Sequence, residues 1–504
     1  MEKFIFYLSI LLLYVIYSNT QVVIPLDSFQ SQFEEESESQ ELVNLLLNSN
    51  IASIIKIGSQ LYPLKTFFNI NSPFFYISKQ CNINEESFLS KYKTNFNYNR
   101  YKSITFYNTS SFDLFFGQSL HACTAIENFE VINYDKKEIK LEKISFILNE
   151  DTNEEKCNCL NIGLIENLNK ETSFKEYNLI TQLKQKNYIK EYIWTIKFND
   201  VNKYNNNNLL YDPDELINLK GNLIIGDFPH NYDPQNYYKS QFIKTYTIFS
   251  GNIMKWELKF NKICYINNNK EQKIDDVYVN LDPSSYLIKA PEIYFESIID
   301  NYFKKFLDEK ICQFNYLDEY ISINCDKSEK FSINEINAFP SILFDHINLN
   351  YTFELTYRDL FVEKDKVYYF LIISDSLFYK TGWILGNIFM RKYQFIFNLD
   401  TKEIGFYNPK LDKILDDNDG HQNSSNNSSN TIIYVIIIIV LCLFLVGIVL
   451  FIKMKFYPKI SKKKRANELD DDYEYVTDKN VNNDLINNDN NDDNKLFNKN
   501  SNIN

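Results

Sequence analysis

The sequence predicts a mostly β protein of two homologous lobes facing across a cleft, carried on one transmembrane helix. Three observations predict it. Short runs of β-branched and aromatic residues recur between clusters of Asn, Asp, Gly and Pro, the pattern of strands and turns. A strand running into a sharp loop, followed later in the chain by two apolar residues and a glycine, occurs twice. Residues 431–452 contain no charged side chain.

The expected membrane elements bound the rest of the chain. As a helix, residues 431–452 would be about 33 Å long, enough for a bilayer core. Lys453, Lys455, Lys459, Lys462, Lys463, Lys464 and Arg465 follow the run, whereas Asp416, Asp417 and Asp419 precede it. Positive charge stays cytosolic, so the bulk of the chain is expected to be lumenal or extracellular, as a single-pass type I protein of the secretory pathway. At the other end, Lys3 precedes an apolar run over 4–17 and then Ser18-Asn19-Thr20. That is the form of a signal peptide over 1–20; the competing reading is a first membrane helix. Residues 21–50 read as an acidic arm or pro-segment remnant, 411–430 as an Asn/Ser/Asp-rich stalk, and 453–504 as a disordered cytosolic tail. Tyr473-Glu474-Tyr475-Val476 fits a Y-x-x-bulky sorting signal for the cell surface or endolysosome.

Composition excludes several classes. The chain has 504 residues and a net charge of −13, which argues against nucleic acid as a partner. With 44% hydrophobic and 16% aromatic residues it can bury a large core. Cys81, Cys123, Cys157, Cys159, Cys264, Cys312 and Cys325 would lie on the oxidising side, where disulfides are the default. Cys312 and Cys325 are the expected pair, closing a loop of about fourteen residues for about 3 kcal/mol. His121, Cys123, Cys157 and Cys159 form H-x-C and C-x-C pairs that suit either zinc or bridging. Asn108-Thr109-Ser110 and Asn350-Tyr351-Thr352 are N-glycosylation acceptors.

Within the body, strands are expected over 51–57, 104–107, 144–148, 194–198 and 223–225, with a hairpin over 393–407 turning at Asp400-Thr401-Lys402. Residues 291–299 carry helical periodicity after Pro291. The first copy of the repeat is Phe67-Phe68-Asn69-Ile70-Asn71-Ser72 with Ile162-Gly163-Leu164; the second is Val279-Asn280-Leu281-Asp282-Pro283-Ser284-Ser285 with Trp383-Ile384-Leu385-Gly386. A glycine in that place suits a strand crossing closely over a neighbouring loop. Two such halves set the lobes at 51–236 and 237–410.

At these residues the chain resembles the pepsin-like aspartic peptidases. Trp383-Ile384-Leu385-Gly386-Asn387-Ile388-Phe389-Met390-Arg391-Lys392-Tyr393, then Phe397 and Ile404-Gly405-Phe406, is similar to that family's C-lobe signature. Asp282-Pro283-Ser284-Ser285 through Ala290-Pro291 resembles the second active-site loop, usually D-T-G-T/S-S, and Phe68-Asn69-Ile70-Asn71-Ser72 the first, usually F-D-T-G-S-S. The resemblance covers residues 51–410 and implies a cleft holding an extended peptide or protein, with no cofactor and no metal. It implies catalytic positions at Asn69 and Asp282, substrate contacts at Ser72 and Ser285, and a flap tyrosine at Tyr107.

The same positions depart from the family's chemistry. Hydrolysis there needs two carboxylates sharing a proton, one taking a proton from water while the other hydrogen-bonds the scissile carbonyl. Asn69 replaces the first, and an amide neither accepts nor releases a proton near neutral pH. The family's loop threonines are Ile70 and Pro283, and its glycines Asn71 and Ser284. The sequence therefore points to a homologue with lapsed proteolysis and a retained binding cleft. An active endopeptidase using Asp282, and a structural surface glycoprotein, are the competing readings.

Overall fold

Alternating burial turns the apolar runs into strands. Residues 342–346 bury every second side chain, and 351–355 repeat the pattern, as a sheet with one face on a core requires. The computed structural model describes residues 21–30, 42–47, 49–70, 72–78, 102–115, 119–149, 159–165, 177–199, 210–250, 253–267, 270–317, 319–375 and 382–408. The first part of the chain supplies β1 (Val22–Gln30), β2 (Ser49–Ile57), β3 (Tyr62–Asn69), β4 (Phe75–Ser78), β5 (Tyr107–Phe115), β6 (Ser119–Ile132), β7 (Glu138–Asn149), β8 (Cys159–Gly163), β9 (Ile193–Phe198) and β10 (Lys220–Ile225). Then come β11 (Phe242–Tyr246), β12 (Phe249–Ser250), β13 (Ile253–Met254), β14 (Glu257–Asn267), β15 (Lys270–Leu281), β16 (Ile288–Ala290), β17 (Cys312–Leu317) and β18 (Tyr320–Asp326). The remainder are β19 (Ile342–His346), β20 (Tyr351–Leu355), β21 (Phe361–Lys364), β22 (Val367–Phe370), β23 (Ile372–Asp375), β24 (Trp383–Leu385), β25 (Phe395–Asn398) and β26 (Glu403–Tyr407).

The protein is mostly β, in two large sheets. One has the order β11-β26-β25-β9-β10-β1-β2-β3-β8-β4-β7-β6-β5; the other runs β20-β19-β14-β15-β24-β16-β23-β18-β22-β21, with β17 on β18. The first sheet mixes the two ends of the chain, because β25 pairs with β9, Thr195 opposite Ile396. The Thr195 hydroxyl donates to the Phe395 carbonyl at 2.6 Å, and Trp194 stacks on Phe397 at 4.0 Å. Both rings are fully buried, and each is worth about 3 kcal/mol as apolar area removed from water.

Each repeat copy builds the same strand pattern. β3 runs parallel to β8, with β4 antiparallel to β8 and parallel to β7. Likewise β15 runs parallel to β24, with β16 antiparallel to β24 and parallel to β23. The hairpin expected over 393–407 is β25–β26, closed where Asn398 accepts from the Asp400 and Thr401 amides at 2.9 and 3.1 Å. The helix expected after Pro291 is Glu292–Ile298, with Pro291 as its N-cap.

Two expectations are corrected. Residues 22–30 are not part of a detached arm: β1 lies between β10 and β2, burying Val22, Ile24 and Leu26. Residues 104–106 are not strand. Ser59 accepts from the Ile104 amide at 3.1 Å, and Ser103 donates to buried Glu127 at 2.6 Å, bending the segment into a turn that leaves Ile104 exposed. No described helix is long and apolar enough to cross a membrane. The expected signal peptide, stalk, 431–452 helix and tail lie outside the described residues.

Candidate functional site

The first loop leaves β3 at Asn69, which pairs with Gly163. The Leu164 amide donates to the Asn69 carbonyl and the Gly163 amide to the Phe74 carbonyl, both at 2.9 Å. A Cβ on Gly163 would stand 2.3 Å from the Ser72 carbonyl oxygen, so only glycine lets β8 pass this close. Ile70 is buried, and the Ser72 hydroxyl accepts from the Phe74 amide at 3.2 Å. Asn71 lies outside the described residues.

The second loop leaves β15 at Leu281, opposite Leu385. The Asp282 amide donates to the Leu385 carbonyl at 3.1 Å. A Cβ on Gly386 would stand 2.3 Å from the Ser285 carbonyl oxygen, the same separation as at Gly163. The Ser285 amide donates to the Asp282 carbonyl at 3.2 Å, closing a β-turn with Pro283 in its favoured second place. Asp282 Oδ1 accepts from the Ser284 amide at 2.9 Å and the Ser284 hydroxyl at 2.6 Å. Asp282 is thus the side-chain brace of its own turn. The Ser285 hydroxyl donates to the Leu287 carbonyl at 3.0 Å. Ser72 and Ser285, expected to touch substrate, each spend a hydroxyl contact inside their own loop.

Tyr107 is 66% exposed and opens β5, paired with Ile126. β5 ends at Phe115 and β6 begins at Ser119, and Tyr107 is the first residue of β5. Tyr107 is thus at the end of β5 away from its connection to β6, and Gly117 lies outside the described residues. Asn108 beside it is exposed, as is Asn350, which takes φ +46° in the turn before β20. Cys312 and Cys325 form the expected disulfide, directly opposite across β17 and β18. Cys159 is also disulfide-bonded, which removes its sulfur as a thiolate ligand for zinc. Cys81 and Cys157 lie outside the described residues.

Two groups of residues near the loops escaped the sequence reading. Asn178, fully enclosed, donates to the Pro73 carbonyl at 2.9 Å and the Ile165 carbonyl at 3.0 Å, while accepting from the Thr181 amide at 3.0 Å. It caps the helix Leu179–Gln185 and fastens that helix to the first loop. An Asn standing before an apolar helical run was the available signal. The indoles of Trp194 and Trp256 both donate to the Leu164 carbonyl, at 3.1 and 2.9 Å. Nothing in local spacing reveals that contact.

Family models produce no match to the chain, and no curated protein matches it.

Proposed function

We propose that the chain is a membrane-anchored relative of the pepsin-like aspartic peptidases in which hydrolysis has lapsed and a cleft between two β lobes still holds an extended peptide or protein. The reading rests on one observation: the two loops keep matching backbone geometry, each overlaid by a glycine, yet only the second carries a carboxylate. A shared proton needs two acids, because like charges at about 3 Å cannot both ionise and one pKa is driven up. With Asn69 in the first position, no such pair forms. Asp282 finds no partner acid in the first loop, residues 68–72, to divide the roles, and its Oδ1 is already held by Ser284. An extended ligand would bind through backbone hydrogen bonds and side-chain pockets, which need no acid–base chemistry. The 431–452 helix would tether the lobes to the membrane, with glycans at Asn108 and Asn350.

The test is calorimetric titration of the full-length protein in detergent with a peptide mimetic carrying a central secondary hydroxyl. Saturable binding is expected. Absence of binding at millimolar ligand would reject the cleft reading in favour of a structural surface glycoprotein.

A further inference from the structure

The two loops are joined by an unbroken chain of buried hydrogen bonds. It starts at the Asn69 carbonyl, which accepts from the Leu164 amide at 2.9 Å. The Leu164 carbonyl accepts from the Trp256 indole at 2.9 Å. The Trp256 carbonyl in turn accepts from the Leu281 amide at 3.0 Å, one residue before Asp282. Leu164, Trp256 and Leu281 are all at most 1% exposed. A carbonyl oxygen has two lone pairs, and Trp194 takes the second at 3.1 Å. Phe397 packs against both indoles, 4.0 Å from Trp194 and 5.0 Å from Trp256, and fixes their planes.

We infer that Trp256 is a positioning residue that sets the first and second loops at a fixed separation, through the Leu164 carbonyl. This rests on the reading of the loops as two sides of one binding cleft. The side chains that could have tied loop to loop are apolar here: Ile70 is buried and Pro283 has no donor on its side chain or its backbone. The span through Trp256 crosses from one repeat copy to the other, whereas Trp194 reaches Leu164 from within the first. The two indoles are therefore unequal. Losing the Trp194 donor leaves the connection intact; losing the Trp256 donor breaks it, while the Leu164 carbonyl keeps one partner and is not orphaned.

The experiment is amide hydrogen exchange by mass spectrometry on the full chain, comparing the native protein with Trp256→Phe and Trp194→Phe, alongside affinity for the same hydroxyl-bearing mimetic. Trp256→Phe is expected to speed exchange in both loops, 69–74 and 281–287, and to weaken the mimetic about tenfold, the loss of one buried bond. Trp194→Phe is expected to leave 281–287 unchanged. Faster exchange in only one loop of Trp256→Phe, or equal effects of the two variants, overturns the inference. If the native protein ignores the mimetic, the cleft reading fails while exchange still decides the coupling. Should Trp256→Phe not fold, NMR exchange on the native protein serves instead. The Leu164 amide, Leu281 amide and Trp256 indole proton should then exchange in a single opening event, and separate openings would refute the link.

Discussion

The first and second loops are alike in backbone and unlike in chemistry. Both follow a strand that runs parallel to a partner, and both are crossed by a glycine whose Cβ would meet a carbonyl at 2.3 Å. The side chains between have diverged. The second loop is a turn braced from within by Asp282 and Pro283, and held at its ends where the Asp282 amide donates to the Leu385 carbonyl and the Asn387 amide to the Ser285 carbonyl. The first depends on outside support from Asn178 and the end of β8. A close backbone crossing constrains one position absolutely and leaves its neighbours open to change. The fold can therefore tolerate different side chains in the two loops.

That comparison can be broken most directly at the glycines. Gly163→Ala and Gly386→Ala should each destabilise by about 3 kcal/mol, since the added methyl meets backbone that cannot rotate away. Urea denaturation would measure it, and a large difference between the two would show the loops are not equivalent. Next in size, Asn178→Ala should cost about 2 kcal/mol, because it leaves buried carbonyls unmet and removes a helix cap. The expected loss of protection is confined to the first loop and the helix Leu179–Gln185, because Asn178 makes no bond to the second loop's internal brace; spread to the second loop would contradict that separate bracing.

The smallest effect concerns the shared sheet. Burial, then Lys239, push His230 below its ordinary pKa, against the opposing pull of Asp227. The His230 Nδ1 and the Tyr407 hydroxyl share a hydrogen bond at 2.7 Å, joining the helix Pro229–Tyr232 to β26. The unfolded chain thus binds more protons between the depressed value and 6.5, so stability should fall as pH drops through that window and be level above it. His230→Gln should flatten the fall in a melting-temperature series.

Much of this architecture was legible because it is local or repeated. The β25–β26 hairpin and the Cys312–Cys325 bridge are set by short-range spacing, whereas the two glycine crossings, remote in sequence from their loops, are legible because the pattern occurs twice. What stayed hidden depends on distant partners. β1 reads as an arm because its neighbours β10 and β2 are remote in sequence or separated from it by an acidic stretch. Residues 104–106 have strand composition, yet Ser59 and Glu127 capture the segment as a turn. The Trp256 indole meets a carbonyl 92 residues away, a contact with no periodicity to betray it. At the candidate site, the amide at Asn69 was plain from sequence; that Asp282 braces its own turn needed coordinates.

The central claim is that one carboxylate cannot do the work of two. Incubating the full-length protein and its Asp282→Ala variant with denatured protein between about pH 3 and 6, the range in which a carboxylate pair can share one proton, tests it most directly. No cleavage by either is expected. Peptide products from the native chain that vanish with Asp282→Ala would contradict it.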